Sequence, residues 1–305
     1  MITVLAGGVG AARFLTGLTQ LVKQEALTVI VNTGDDIELF GLHISPDIDI
    51  VTYTLAGIVN DQKGWGIKGD TFNCLNLLKV FGEVDWFNLG DRDFATSILR
   101  TNMLKNGATL SQVTAKISCD LGLELKILPM TDDKVATYVQ IPDGFVHFEE
   151  YMVKRAAKDP VFNVKFVGAE TAKPAKGVIE AIMTSERIII CPSNPIVSIG
   201  TILHIPGVLA ALQKTSAKKV AVSPIVAGVP IKGPADKLLD GLGIEVSTVG
   251  VAKLYADFID WFILDSADAA EKDRVEALGI KVAVGNTLMK DLASKTALAK
   301  MTLNL

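Results

Sequence analysis

The chain has 305 residues, 49% of them hydrophobic and 21% charged, which supplies a substantial apolar core and argues against disorder. A formal net charge of -4, with no lysine or arginine stripe, gives no reason to expect a nucleic-acid partner. No apolar run reaches the roughly 18 residues of a membrane span, the first residues lack a signal-peptide pattern, and Cys74, Cys119 and Cys191 lie far apart, so a cytoplasmic protein with reduced thiols and no membrane contact is expected.

Residues 2–6 form a short apolar run that ends in a turn containing Gly7, Gly8 and Gly10. Residues 11–22 then place apolar side chains at helical spacing, and 28–31 read as a second buried strand, which makes a parallel βαβ unit. Four consecutive helices are predicted at 47–59, 70–81, 93–104 and 110–121, covering one edge or mouth of a sheet. Between 123 and 170 the chain turns to short strand-like runs (ELKILPM, VATYVQI, FVHFEEY, VKFVG) with Pro142-Asp143-Gly144 as a turn, which predicts a small inserted strand-rich subdomain. Strands at 188–190, 220–222, 261–264 and 282–284 follow, interleaved with helices at 206–212, 235–242 and 267–278. The expected architecture is one α/β domain over 1–305. It has a Rossmann-like, doubly wound, mostly parallel sheet, with a helical region and a small α+β insertion.

The polar motifs fall where such sheets bind ligands, just beyond the strand ends. Gly7, Gly8 and Gly10 suit a backbone that approaches a phosphate at a helix N-terminus, and equally suit a tight packing turn. The loop is a poor dinucleotide fingerprint, because Arg13 stands where a third glycine is wanted and Asn32 where a ribose-binding acid is wanted; an NAD-dependent oxidoreductase is therefore disfavoured. Asp35 and Asp36, in a Gly-Asp-Asp turn, suit Mg²⁺ shared with substrate phosphates, or a solvated turn. Asp47 and Asp49 lie at a helix start, where the dipole alone would favour a carboxylate. Asp91, Arg92 and Asp93 read either as an ion-pair network with Arg92 free to fork onto a phosphate, or as a capped helix start with Asp93 as the cap. Pro192-Ser193-Asn194-Pro195 and Gly233-Pro234-Ala235 add two more small polar loops after strands. His43, His147 and His204 lack metal-ligand spacing, and no nucleophile elbow is present.

Taken together, GGVGAARFL, NTGDD, SPDID, GWGIKGDTF, LGDRD, CPSNPIVSIG and SPIVAGVPIKGPADKL resemble, in order and spacing, the 2-phospho-L-lactate transferase family (CofD, or FbiA) of coenzyme F-420 biosynthesis. The resemblance runs from Met1 to about Leu292. It implies transfer of phospholactate, or of a phosphoenolpyruvyl or phosphoglyceryl analogue, from a guanosine diphosphate-linked donor to the ribityl hydroxyl of Fo (7,8-didemethyl-8-hydroxy-5-deazariboflavin), releasing GMP. It also implies a Mg²⁺ requirement and a homodimer. By position it implies Asp49 and Asn88, with Asp91 and Arg92, on the Fo side. The guanosine diphosphate would lie along Gly7, Gly8 and Gly10, Ser193 and Asn194, and Gly233, Pro234 and Ala235. Asp35 and Asp36 would hold the metal, with Asp49 as the base. Asp49→Asn is expected to cut turnover while sparing the fold. A rival of another class is a nucleotide-sugar-binding regulator from a related cell-wall family with the same glycine-rich start and core.

Overall fold

In the computed structural model, which describes residues 1–60, 62–84 and 86–305, seven strands form one sheet. They are β1 (Ile2–Ala6), β2 (Leu27–Val31), β3 (Lys126–Pro129), β4 (Arg187–Ile190), β5 (Lys218–Val222), β6 (Trp261–Asp265) and β7 (Lys281–Gly285). Their spatial order is β7-β6-β5-β4-β1-β2-β3, and every pairing is parallel. The chain winds outward in one direction from β1 through β2 to β3. It then returns to the other side of β1 and winds the opposite way through β4 to β7. The order therefore reverses between β1 and β4, and a crevice opens there at the carboxyl ends of the strands.

Both faces of the sheet are covered, so the strands read as continuous apolar runs. Alternate side chains feed two cores. Val4, Ala6, Val29, Val31 and Ile189 pack with Phe14, Leu15 and Leu18 of α1 (Gly8–Leu18), Ile48 and Val51 of α2 (Pro46–Leu55), and Leu298 of the C-terminal helix Leu292–Asn304. Leu5, Ile30, Ile188, Ile190 and Phe262 join the opposite core.

The long excursion between β2 and β3 carries a hairpin of Ile37–Leu39 with Leu42–Ile44, then α2, α3 (Asn73–Val80), α4 (Asp91–Lys105) and α5 (Leu110–Asp120). A separate apolar cluster of Ile44, Leu75, Leu89 and Phe94 holds the hairpin to α3 and α4 beside the crevice.

The predicted insertion changes at its start. Lys126–Pro129 is the edge strand of the central sheet, paired with β2, because its apolar run is buried beside Thr28 to Val31. The three-stranded antiparallel sheet that follows has Ala136–Ile141 at its centre, flanked by Gly144–His147 and Asn163–Val167, with Pro142 and Asp143 as the hairpin loop. Val139 and Ile141 share the core of Leu5 and Ile190, so this sheet is packed onto the main one. FVHFEEY is extended only to His147, and its end coils into a helical turn at Glu150–Lys154.

Several helix bounds also move for local reasons. α2 ends at Leu55, and Gly57 beyond it takes the left-handed conformation common at helix ends. The helix expected at 206–212 starts at Val208 after left-handed Gly207. The one expected at 267–278 is a 3-10 stretch, Ser266–Glu271, followed by Lys272–Glu276. The helices Val178–Thr184, Ile199–His204, Thr248–Tyr255 and Leu292–Asn304 had no sequence expectation.

α1 crosses Leu292–Asn304 at Gly17, where an added Cβ would lie 2.3 Å from the Lys295 carbonyl. Gly17→Val should force the two helices apart and destabilise the chain by ~1–3 kcal/mol. Urea unfolding measures this, and an unchanged midpoint would show that the C-terminal helix does not depend on that contact.

Candidate functional site

The loops after β1 and β4 are tied across the switch point by one hydroxyl. Ser193 Oγ donates to the Gly7 carbonyl at 2.7 Å and accepts from the Gly7 N–H at 3.2 Å. The approach is so close that a Cβ on Gly10 would fall 2.3 Å from the Pro192 carbonyl oxygen, and Gly8 holds φ +65°, where a side chain is strained. Asn194 uses its side-chain oxygen to accept from the Ile196 and Val197 N–H groups, which rounds off the turn and leaves its amide nitrogen for a ligand. The cleft at these loops has a volume of about 650 Å³, and its walls include Gly233, Pro234 and Ala235 from the loop beyond β5. All eight residues expected to hold the nucleotide line this one cleft.

The acidic side is built around Asn32. Its side-chain oxygen accepts from the Gly34 N–H at 2.9 Å, shaping the Gly-Asp-Asp turn, while its amide donates to Asp47 Oδ2 at 3.0 Å. From the insertion, the Thr137 N–H donates to the Gly34 carbonyl at 2.6 Å and pins the turn from the other side. The result is a group of carboxylates lining the cleft: Asp35, Asp47 and Glu149, all buried, with Asp49 partly buried beside them. Burial pushes Asp35 well above the usual carboxylate range, and Asp47 and Glu149 add to the rise. Burial likewise lifts Asp47 to about 7 and Glu149 to about 8. Asp35 Oδ1 is buried with no hydrogen-bond partner.

Asp36 does not join the cleft. Its Oδ2 accepts from Ser45 Oγ at 2.9 Å and lies 2.8 Å from His43 Nε2, so the turn sends its two acids in different directions. Ser45, rather than Asp47, is the N-cap residue of α2, with Pro46 following, and Asp47 and Asp49 in its first turn both line the cleft. Asp49 is ion-paired with the fully buried Arg100 of α4, which also donates to the His43 carbonyl at 3.3 Å. Burial raises the Asp49 pKa against the pull of Arg100. Removing the Asp49 charge would leave Arg100 buried without its partner, a loss typically worth ~3–5 kcal/mol, so the ion pair argues that Asp49→Asn should also lower stability.

Asn88 lines the cleft, but Asp91 and Arg92 do not. Asp91 accepts from the Cys74 N–H at 2.9 Å and from the Asn73 N–H at 3.2 Å, capping α3. Asp70, just before α3, accepts from the Arg92 N–H at 3.0 Å and caps α4 in return. The Arg92 guanidinium donates to the Lys68 carbonyl. The Asp-Arg-Asp block is thus mainly helix-start chemistry, with Gly90 as the N-cap residue and Asp93 returning to the Gly90 N–H at 3.1 Å. Asp93 does reach the cleft, where burial lifts it to about 6.

Sequence reasoning undervalued Asp47 and missed Glu149. Asp47 was visible as one of two acids either side of the core residue Ile48. Glu149 and Glu150 stand together between buried Phe148 and Tyr151, and only the fold shows that Glu149 is the one that is buried at the cleft.

Among the described residues, no three His, Cys, Asp or Glu side chains form a ready-made metal cage. The donor set fits a hard cation held partly by a ligand. Asp35 and Asp47 supply oxygens at the cleft wall, one of them without a partner, and Mg²⁺ is usually held by one or two carboxylates plus substrate phosphates.

The chain matches the family described as 2-phospho-L-lactate transferase CofD over residues 2–294. It is 45% identical to a phosphoenolpyruvate transferase of Streptomyces griseus, over all of this chain and 98% of that protein. It is 40% identical to a 2-phospho-L-lactate transferase of Methanosarcina mazei, covering 98% of each. Among solved structures, a Bacillus halodurans protein shares the fold at a TM-score of 0.64, with 19% identity over 99% of this chain and 98% of the other. No helix of the described residues is long and apolar enough to cross a membrane.

A carboxyl that ionises less readily in the folded chain than in the unfolded one binds more protons when folded, so its stability contribution falls as pH rises. For Asp47 and Glu149 that fall begins near the unfolded value of about 4 and ends at about 7 and about 8 respectively. The melting temperature of the metal-free protein should therefore drop between pH 5 and pH 8, and Asp47→Asn with Glu149→Gln should flatten the drop. An equally steep profile in the double variant would place the repulsion elsewhere.

Proposed function

The chain belongs to the 2-phospho-L-lactate transferase family, and on that premise we propose that it passes a phosphate-bearing three-carbon acid from a guanosine diphosphate-linked donor to the hydroxyl of Fo, with release of GMP. The observation that carries this reading is the pairing, in one cleft, of a glycine-rich phosphate loop with a buried carboxylate group that includes an unpartnered oxygen. The glycine-rich N-terminus of the eleven-residue helix α1, whose first-turn N–H groups have no partner within the helix, suits the diphosphate. The carboxylates suit the other two needs of such a transfer, a cation against the phosphates and an acceptor for the proton of the attacking alcohol.

In this reading Asp35 and Asp47 hold Mg²⁺, a change from the Asp35 and Asp36 expected from sequence. When bound, the ion would neutralise phosphate charge and favour departure of the nucleotide. Asp36 acts on the cleft indirectly, by fixing His43 and Ser45 around the start of α2. Asp49 and Asn88 face the acceptor, and Arg100 fixes the Asp49 carboxylate so that it can orient the hydroxyl and take its proton. Asp91 and Arg92 keep a supporting part through the starts of α3 and α4. The chemistry needs no covalent intermediate with the protein, because positioning and electrostatics supply most of the acceleration in phosphoryl transfer. The relatives named above are a phosphoenolpyruvate transferase and a 2-phospho-L-lactate transferase, and we propose a donor of this type, built on one of these two acids.

The direct test is to incubate the protein with Fo and Mg²⁺, offer the guanylylated phosphoenolpyruvate, phospholactate and phosphoglycerate donors in competition, and read product masses. One acid-bearing Fo product with stoichiometric GMP is expected; no mass change on Fo with any donor would overturn the proposal. The part assigned to Asp49 is separable from its ion pair. Asp49→Asn should lower both the melting temperature and kcat, the latter by ~10²-fold or more. Adding Arg100→Met removes the stranded cation and should restore the melting temperature but not kcat. Recovery of both would make Asp49 a structural residue.

A further inference from the structure

The cleft has a second electrostatic pole opposite its acids. Arg13 projects from α1, Lys232 immediately precedes Gly233, and Lys63 comes from the loop 60–70; all three line the cleft. The heads of Arg13 and Lys232 converge on one small volume. An Arg13 guanidinium nitrogen and Lys232 Nζ lie 3.9 and 3.4 Å from the point a Cβ on Gly64 would occupy. Among the described residues none of the three pairs with a carboxylate. Lys63 instead lies over aromatic rings, 4.8 Å from the Phe72 centroid and 5.1 Å from the Trp65 centroid.

Two like charges brought together beside a cleft repel each other, and burial with the Arg13 charge lowers the Lys232 pKa. No sequence constraint on folding demands the arrangement. Arg13 sits on the helix that the glycine loop begins, and Lys232 leads into Gly233-Pro234-Ala235, so the two cations stand between the loops assigned to the nucleotide.

We propose that Arg13 and Lys232, covered by Lys63, form the anion clamp that binds the phosphate of the departing nucleotide, which makes them catalytic residues for the transfer. The inference rests on the proposed function and adds the group that receives the leaving charge. The acceptor oxygen forms a bond to the phosphorus that carries the three-carbon acid. The bond from that phosphorus to the bridging oxygen breaks, its electron pair stays on the GMP phosphate, and the hydroxyl proton passes to a cleft carboxylate. The GMP phosphate ends with one more negative charge than it had in the donor, and a guanidinium fork beside an ammonium stabilises that product-like charge more than the ground state.

The test compares wild type with Arg13→Gln/Lys232→Gln by calorimetry, using GMP, guanosine and phosphoenolpyruvate as separate probes, together with steady-state kinetics. The clamp predicts at least a tenfold loss of GMP affinity, unchanged guanosine affinity, and a fall in kcat as well as in kcat/KM. It also predicts an unchanged melting temperature, because neither side chain makes a hydrogen bond that the fold needs. GMP affinity equal to wild type would overturn it. A loss for phosphoenolpyruvate with GMP spared would overturn it too, and would assign the cations to the acid end of the donor. A wild-type protein that binds neither GMP nor guanosine would instead overturn the nucleotide reading on which the clamp rests.

Discussion

Like charges held close together in a low-dielectric place are the constraint around which this molecule is organised. Asp35, Asp47, Asp49 and Glu149 are gathered at the mouth of the sheet, and Arg100 is the one cation paired with any of them among the described residues. Desolvation and mutual repulsion both oppose such a group, which gives it no place in a scaffold that had only to be stable. Its members come from separate elements that are cross-linked through Asn32 and Thr137. The turn after β2 brings Asp35, the start of α2 brings Asp47 and Asp49, and the far end of the antiparallel sheet brings Glu149. Elements packed onto the cores of the main sheet tolerate repulsion that a flexible loop would relieve by moving away.

The parallel sheet makes that convergence possible. With strand order reversing between β1 and β4, the cleft opens beyond the carboxyl ends of the strands, while the Ser193 hydroxyl ties the two loops there together. The added pieces then close the site. The helical region brings Arg100, Asn88 and the aromatic loop of Trp65, and the antiparallel sheet buttresses the Gly34 turn through Thr137. An acidic pole and a basic pole thus share one cleft, the arrangement on which the proposed diphosphate-linked donor rests.

How much of this was legible depended on whether the signal was local. The first βαβ unit could be read outright, because an apolar run, glycines and a 3.6-residue period follow one another within thirty residues. The loops at the strand ends were legible for the same reason, and they do share one cleft. Lys126–Pro129 was not: a four-residue apolar run carries no mark of which sheet it will join, and only its partner β2 decides. Asp36 and Asp91 lie outside the cleft for a different reason. Their residue types suited metal and ligand, but His43 and Ser45 claimed the first and the backbone of α3 the second, and both partners are fixed by the fold. The pairing of Asp49 with Arg100 joins residues 51 apart, beyond the reach of any motif. Glu149 carries no mark of its place, because Glu150 stands beside it and nothing in the sequence links either to Asp35.

If the acidic pole exists to share a cation with a nucleotide diphosphate, binding of the two must be coupled, and the coupling must be reciprocal. Titrating GDP at a series of Mg²⁺ concentrations, and Mg²⁺ at a series of GDP concentrations, measures that coupling in both directions. The account predicts that each ligand strengthens the other by the same factor, ~5-fold or more, and that Asp35→Asn with Asp47→Asn abolishes the effect while GDP still binds. GDP affinity independent of Mg²⁺ in the wild-type protein would contradict it.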